Sequence, residues 1–145
     1  MLPPSHTLTL ETPSLADYQR LRAEAGLSPF AAEAARAGLP GTFVGVVLRC
    51  DDAVIGMGRV VGDGGLFFQL VDIAVQPDHQ GKGLGKAIVD ALLKALAARI
   101  ASAAYVSLIA DGEAHRLYAH FGFAPVAPRS IGMAQWLQPA SSSAK

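Results

Sequence analysis

Beyond Val75 the chain runs Gln76-Pro77-Asp78-His79-Gln80-Gly81-Lys82-Gly83-Leu84-Gly85-Lys86. Gly81, Gly83 and Gly85 stand where an apolar run passes into a long pattern of helical period. Glycine has no Cβ, so an anion can come close to the backbone there. The first N–H groups of a helix have no partner of their own and carry the positive end of its dipole. Lys82 and Lys86 add charge at the same end. The chemistry implied is a cradle for a phosphate-bearing ligand. A nucleotide P-loop fits poorly, because Gly85-Lys86 is preceded at the required position by Gln80 and followed by Ala87. G-x-G-x-x-G also fails, since its last position falls on Lys86 counted from Gly81 and on Ile88 counted from Gly83.

Other candidates are fewer. Asp72 lies within an apolar strand, where an unpaired carboxylate is costly. It is read either as the partner of Arg59 on the neighbouring strand or as a functional group. His79 adjoins the cradle and titrates in a useful range, but suits a solvent-exposed loop equally well. His6, His115 and His120 lack metal-ligand spacing, so no metal is expected. Cys50 is the single cysteine, so no intramolecular disulfide and no oxidising compartment are needed.

The elements that must carry these residues follow from periodicity. Ser5–Glu11 alternates as a first strand, and Ser14–Ala25 has Leu15, Tyr18, Leu21 and Arg22 at helical spacing, capped by Ser14 and stopped by Gly26. A second short helix runs through Ala31–Ala37, with Pro29 at its start and Gly38 at its end. Thr42–Cys50, Val54–Val61 and Leu66–Val75 are strands joined by Asp51-Asp52 and Gly62–Gly65, the third apolar on both faces and so central. From Gly83 the period becomes 3.6, with Leu84, Ile88, Leu92 and Leu96 in one stripe and Lys86, Asp90 and Lys94 opposite. Ala104–Ile109 is a strand and Gly112–His120 a helix, capped by Asp111 and ended by Gly122. Phe123–Val126 and Ile131–Trp136 are read as two last strands.

The order is β-α-α-β-β-β-α-β-α-β-β, a mixed α/β fold around a central twisted mixed sheet, in one domain over residues 1–138. Residues 139–145 are expected to form a flexible tail. With 145 residues, 51% hydrophobic and 17% charged, the chain has enough apolar material for a core. Twelve basic against twelve acidic residues leave no excess charge, which argues against nucleic acid or anionic membrane as partner. The longest apolar stretch, Gly83–Val106, is broken by Lys86, Asp90, Lys94 and Arg99, so no membrane span is expected and the location is read as cytoplasmic.

Gln80-Gly81-Lys82-Gly83-Leu84-Gly85 resembles the acetyl-CoA signature of the GNAT superfamily of N-acetyltransferases, Gln or Arg-x-x-Gly-x-Gly or Ala. Ala114-His115-Arg116-Leu117-Tyr118-Ala119-His120-Phe121-Gly122-Phe123 is similar to a second block of that family, A-x-x-L-Y-x-x-x-G-F. The order of elements also matches, so the likeness spans nearly the whole chain. It implies a GNAT-like acyl-CoA N-acyltransferase fold and transfer of the acetyl group of acetyl-CoA to a primary amine, by direct attack through a ternary complex. Ile73, Ala74 and Val75 would bind the pantetheine arm, with the backbone of Ile73 and Val75 pairing as an added strand does. The N–H groups of Gln80, Gly81, Lys82, Gly83, Leu84, Gly85 and Lys86 would hold the pyrophosphate. Asp111 stands where many members have a cofactor-contacting Asn.

By the same likeness Tyr118 is the catalytic acid for the departing thiolate, and a free N–H near Val75 serves the oxyanion. Gln69 falls near a position where some relatives carry a catalytic glutamate, and an amide cannot take the proton. The base stays open between Asp72, His79 and a water relay. The acceptor site is expected between Leu27–Phe30 and Pro125–Ser130, with Phe67 and Phe68 more naturally core residues. The absence of an acidic run favours a small amine over a polybasic peptide. Two alternatives stand beside catalysis, namely an acyl-CoA-binding sensor on the same fold and a nucleotide-binding switch. The edge at Ile131–Trp136 gives a route to a homodimer.

Overall fold

The computed structural model describes residues 2–140. Its centre is a five-stranded sheet in the order β1 (His6–Thr9), β2 (Val44–Cys50), β3 (Ala53–Gly62), β4 (Phe67–Val75), β5 (Tyr105–Ser107). The first three pairings are antiparallel and the β4–β5 pairing is parallel, so the sheet is mixed, as the pattern of elements predicts. Asp51, at φ 53°, turns β2 into β3. At the next turn the Asp63 carboxylate accepts hydrogen bonds from the N–H groups of Gly65, Leu66 and Phe67.

Helix α1 (Leu15–Glu24) begins where Ser14 Oγ accepts from the Asp17 N–H at 3.1 Å. It stops at Gly26, whose φ of 78° no residue with a Cβ adopts easily. Helix α2 (Ala32–Gly38) follows. Helix α3 (Leu84–Arg99) lays its stripe of Leu84, Ile88, Leu92 and Leu96, with Val89, on the sheet, and all five are buried. On β3, Gly56 and Gly58 face α3 while the alternate residue Met57 packs against Tyr18 and Leu21 of α1. The sheet thus lies between α3 on one face and α1 with α2 on the other.

Gly58 sets the approach of α3. A Cβ there would lie 2.7 Å from Ile88 Cγ2, 2.8 Å from Ile73 Cδ1 and 2.9 Å from Leu92 Cδ1. Gly58→Ala is therefore expected to destabilise the fold by about 1–3 kcal/mol, the usual range for overpacking a filled core. Urea unfolding measures it, and an unchanged midpoint would mean that the helix rides on the sheet with slack.

After β5 the chain differs from its sequence pattern. Gly112–His120 is a 3-10 turn at Gly112–Ala114 followed by the short helix α4 (His115–Ala119), and Asp111, at the N-cap position, makes no side-chain cap bond. The two last strands expected at Phe123–Val126 and Ile131–Trp136 are not formed among the described residues. Pro125 and Pro128 remove amide donors from this stretch, and β5 offers an edge of only three residues. The segment instead folds back as coil, bringing Gly132 close to Ile109 and the Trp136 ring to 5.2 Å from that of Phe30. The expected tail lies from residue 141 onward outside the described residues. No helix among the described residues is long and apolar enough to cross a membrane.

Candidate active site

The site begins as a defect in the sheet. Parallel pairing of β4 with β5 ends at Gln69 and Ser107, so β4 from Leu70 to Val75 has no β5 neighbour. Gln76 N–H donates to the Ile55 carbonyl at 2.8 Å. In an antiparallel ladder the flanking residue then turns its own groups the other way, so the N–H and C=O of Val75 face the gap rather than β3. The Val75 carbonyl accepts from Gln80 Nε2 at 2.9 Å, which leaves the Val75 N–H directed into the opening.

Next to the gap, Gly81 and Gly83 adopt φ of 83° and 78°, and a Cβ built at either would touch nothing within 4 Å. Their lack of side chains is therefore a matter of backbone conformation, and the space beside them is open. The first helical bond here runs from Ala87 N–H to the Gly83 carbonyl at 3.2 Å. The N–H groups of Gly81, Lys82, Gly83, Leu84, Gly85 and Lys86 have no backbone acceptor among the described residues. Gln80 differs from its expected part, because its N–H donates to the Pro77 carbonyl at 3.2 Å and its side chain to Val75. The cradle thus starts at Gly81. A cavity of about 450 Å³ joins this loop to the gap, lined by Ile73, Val75, Gln80, Gly81, Gly83, Leu84, Gly85 and Lys86 with Tyr118. Ala74 is not among its walls and packs against Met57 on the α1 side, and Lys82 points to solvent.

A second cavity of about 490 Å³ shares Ile73, Ala114 and Tyr118 with the first. Its walls include Leu27, Ser28 and Phe30 from the expected acceptor segment, together with Arg22, Arg59, Asp72, Ile109 and Asp111. Pro125–Ser130 does not line it, because that stretch is coil rather than the loop between two strands. Gln69 does, as an amide with no acidic function. Phe68 is buried in the core and Phe67 is exposed, and neither forms a wall.

The floor of this cavity is an ionic knot. Asp72 occupies a bulge, with Asp72 and Ile73 together opposite Gly58, and has φ 60°. Its side chain is 5% exposed. Oδ1 accepts from Arg22 Nη1 at 2.6 Å and from the Tyr18 hydroxyl at 2.9 Å, and Oδ2 accepts from Arg59 Nη1 at 3.3 Å. Burial and the neighbouring Asp72 charge push the Tyr18 phenol above its ordinary pKa, so it remains a donor. The expected Arg59–Asp72 pair is thus present, but Tyr18 and Arg22 complete it. Arg22 also donates to the Ser28 carbonyl and lies 4.8 Å from the Phe30 ring centroid, which ties the wall of the cavity to its floor. The signal in the sequence was a cation within the apolar stripe of α1.

Tyr118 borders both cavities. Its ring is packed edge-on to Phe123, its residue is 8% exposed, and its hydroxyl has no hydrogen-bond partner among the described residues. Burial, then the charge of Asp111, raises its pKa above the usual phenol value. Asp111 is exposed at the cavity wall with no salt bridge among the described residues. His79 borders neither cavity.

Residues 41–125, more than half of the chain, match the acetyltransferase (GNAT) domain family. The chain belongs to that family. A probable acetyltransferase of unknown function from methicillin-resistant Staphylococcus aureus is 45% identical, covers 91% of this chain and 99% of its own, and superposes with a TM-score of 0.86. A GNAT-family protein from Streptococcus pneumoniae, 21% identical over 93% of this chain and 99% of its own, shares the fold with a TM-score of 0.74. Among curated proteins, the chloroplastic GCN5-related N-acetyltransferase 2 of Arabidopsis thaliana is 39% identical over 70 residues, 48% of this chain and 26% of that protein. The chain spans between about a quarter and two-fifths of the curated relatives it matches. In this acetyltransferase-family chain the gap, the Gly81–Lys86 loop and Tyr118 border one cavity.

Proposed function

We propose that this GNAT chain is an acetyl-CoA-dependent N-acetyltransferase acting on the primary amine of a small molecule, by direct attack within a ternary complex. The observation that carries the reading is the position of Tyr118, a hydroxyl free of protein partners in the wall common to two cavities. A sensor needs only one of those cavities, so the second supports catalysis.

The donor side fits acetyl-CoA chemically. Bound there, the thioester supplies an activated acyl group. The free N–H groups from Gly81 to Lys86 suit a pyrophosphate, with Lys86 at the rim. The open edge of β4 from Ile73 to Val75 suits an amide-bearing pantetheine arm. Val75 N–H is the donor for charge developing on the acyl oxygen. Tyr118, held protonated, gives its hydrogen bond to the sulfur as the bond to carbon breaks.

The acceptor side supports a small molecule. Its volume of about 490 Å³ falls within the ~300–1,000 Å³ usual for small-molecule sites, and Leu27, Phe30 and Ile109 make an apolar wall. Asp111, unlike Asp72, has no arginine on it, and so attracts an ammonium group. An alkyl amine with a pKa near ~10.4 must shed a proton at a cost of roughly 4–5 kcal/mol at pH 7. Asp72 has its oxygens occupied by Tyr18, Arg22 and Arg59, and His79 lines neither cavity. The proton therefore leaves through water past Asp111.

Thermal unfolding with acetyl-CoA, ATP and NAD tests the donor. Acetyl-CoA at about a hundred times its Kd is expected to stabilise the fold by ~2.7 kcal/mol, with no shift from the others. Thiol release with small primary amines, set beside peptides bearing lysine or N-terminal amines, tests the acceptor. Absence of an acetyl-CoA shift overturns the reading as a whole. Turnover of peptides alone would replace the small molecule by a protein.

A further inference from the structure

We propose that His6, Cys50 and His79 form a transition-metal site, and that Zn²⁺ is the ion their donor set suits. The three come from β1, the end of β2 and the 3-10 turn at Pro77–His79, and their ligand atoms all lie within 4.8 Å of one another. The pairing of β1 with β2 sets His6 directly opposite Cys50.

Two features distinguish the cluster from three residues that merely meet. His6 Nε2 and His79 Nδ1 are both buried atoms without a hydrogen-bond partner. A buried polar atom left unpaired costs about 1–3 kcal/mol, so two together call for something that satisfies both. His6 is also oriented as a ligand. Its Nδ1 lies 2.8 Å from the Pro4 carbonyl. A carbonyl only accepts, so Nδ1 carries the proton and donates, which leaves Nε2 with a free lone pair. Metal-bound histidines are commonly held in this way, the other nitrogen donating to a backbone carbonyl.

Two imidazoles and a thiolate make a borderline-soft donor set, which favours zinc over magnesium or calcium and leaves a fourth position for water. Zinc bonds of about 2.0–2.3 Å place tetrahedral ligand atoms roughly 3.3–3.8 Å apart, so the side chains need to close by at most ~1.5 Å. Spacing in the sequence gives no hint of the site, because its members lie in three distant stretches and only the β1–β2 register and the turn after β4 bring them together. The ion would tie the edge of the sheet to the turn that leads into Gly81–Lys86. The cluster borders neither cavity, so the proposal does not rest on acyl transfer.

The test uses the full chain, stripped of metal by a chelator and titrated with Zn²⁺ against a chromophoric competitor. One equivalent is expected to bind with a Kd below roughly 1 µM. Loss even of a residue that only orients a ligand weakens sites about 10–100-fold, so Cys50→Ser and His79→Ala are each expected to weaken binding by ~100-fold or more. Co²⁺ in the unaltered protein is expected to give the near-ultraviolet charge-transfer band of a cobalt–thiolate bond. That measurement needs no variant and decides the matter even if a substituted chain misfolds. Zinc binding weaker than about 1 µM, a cobalt spectrum with no thiolate band, or full affinity in both variants would each overturn the site.

Discussion

Asp72→Ala is expected to lower the stability of the fold by about 3–5 kcal/mol, the usual consequence of removing one side of a buried ion pair. The reason is what the substitution leaves behind. Arg59, 7% exposed, and Arg22 would face each other across the space of the lost carboxylate, and the Tyr18 hydroxyl would lose its acceptor. For a chain of this size each kcal/mol moves Tm by roughly 3–4 °C, so a fall of ~10–20 °C should be seen in a melting curve. The effect should change little between low and high salt, because the pairs are buried and ions screen them poorly. A second variant separates the backbone from the charge. Asp72 sits at φ 60°, where glycine is at ease and other residues are strained by about 1–3 kcal/mol. Asp72→Gly should therefore be less destabilising than Asp72→Ala by about 1 kcal/mol, although both lose the same ionic contacts. If Asp72→Ala costs under about 1 kcal/mol in urea unfolding, the arginines find water and the knot contributes little.

The same knot shows what was legible before the fold was known and what was not. A carboxylate inside an apolar strand demands a partner, and Arg59 on the adjacent strand was the nearest candidate, so that pair follows from local reasoning. Arg22 and Tyr18 reach Asp72 only because α1 packs across β3 and β4, and such packing leaves no mark on sequence spacing. The α3 stripe is readable because helical period is a local property, and Gly81 and Gly83 because glycines clustered at a strand-to-helix joint stand out in the sequence, where the fold gives them a φ that disfavours other residues. The two final strands are absent among the described residues for the opposite reason. Alternating apolar residues such as Ile131 and Met133 mark a chain able to pair, but a strand also needs an edge, and β5 is three residues long. Asp111 had the composition of a helix cap, and in the fold it stands free at the cavity wall. The resemblance puts Gln80 among the phosphate donors, yet its N–H and side chain are both spent in shaping the loop.

Tyr118→Phe should reduce kcat by about 10²–10³-fold while acetyl-CoA binding stays within about twofold of its original strength, as expected for loss of one positioned proton donor. The ring contact with Phe123 remains, and the residue keeps its place in the core, so the change removes one hydroxyl and little else. In the proposed reaction that hydroxyl would work as a hydrogen-bond donor more than as a source of a fully transferred proton. A thiol has a pKa near ~8.5 and an ordinary phenol near ~10, so complete transfer is uphill by roughly 2 kcal/mol, and burial with the Asp111 charge makes it more so. The raised pKa has a compensating benefit, because the phenol stays protonated throughout the neutral and mildly alkaline range. The sign is definite. The proposed role requires the protonated form of Tyr118, so its ionisation should reduce kcat only as pH rises beyond the usual phenol range of about 10. Fluorinated tyrosine at position 118 gives a further discrimination. Lowering the phenol pKa should change kcat only shallowly if donation is partial, and should raise it steeply if the proton moves fully before the sulfur leaves. An unchanged kcat in Tyr118→Phe, with acetyl-CoA still bound, would remove the residue from the chemistry and leave the departing sulfur to solvent.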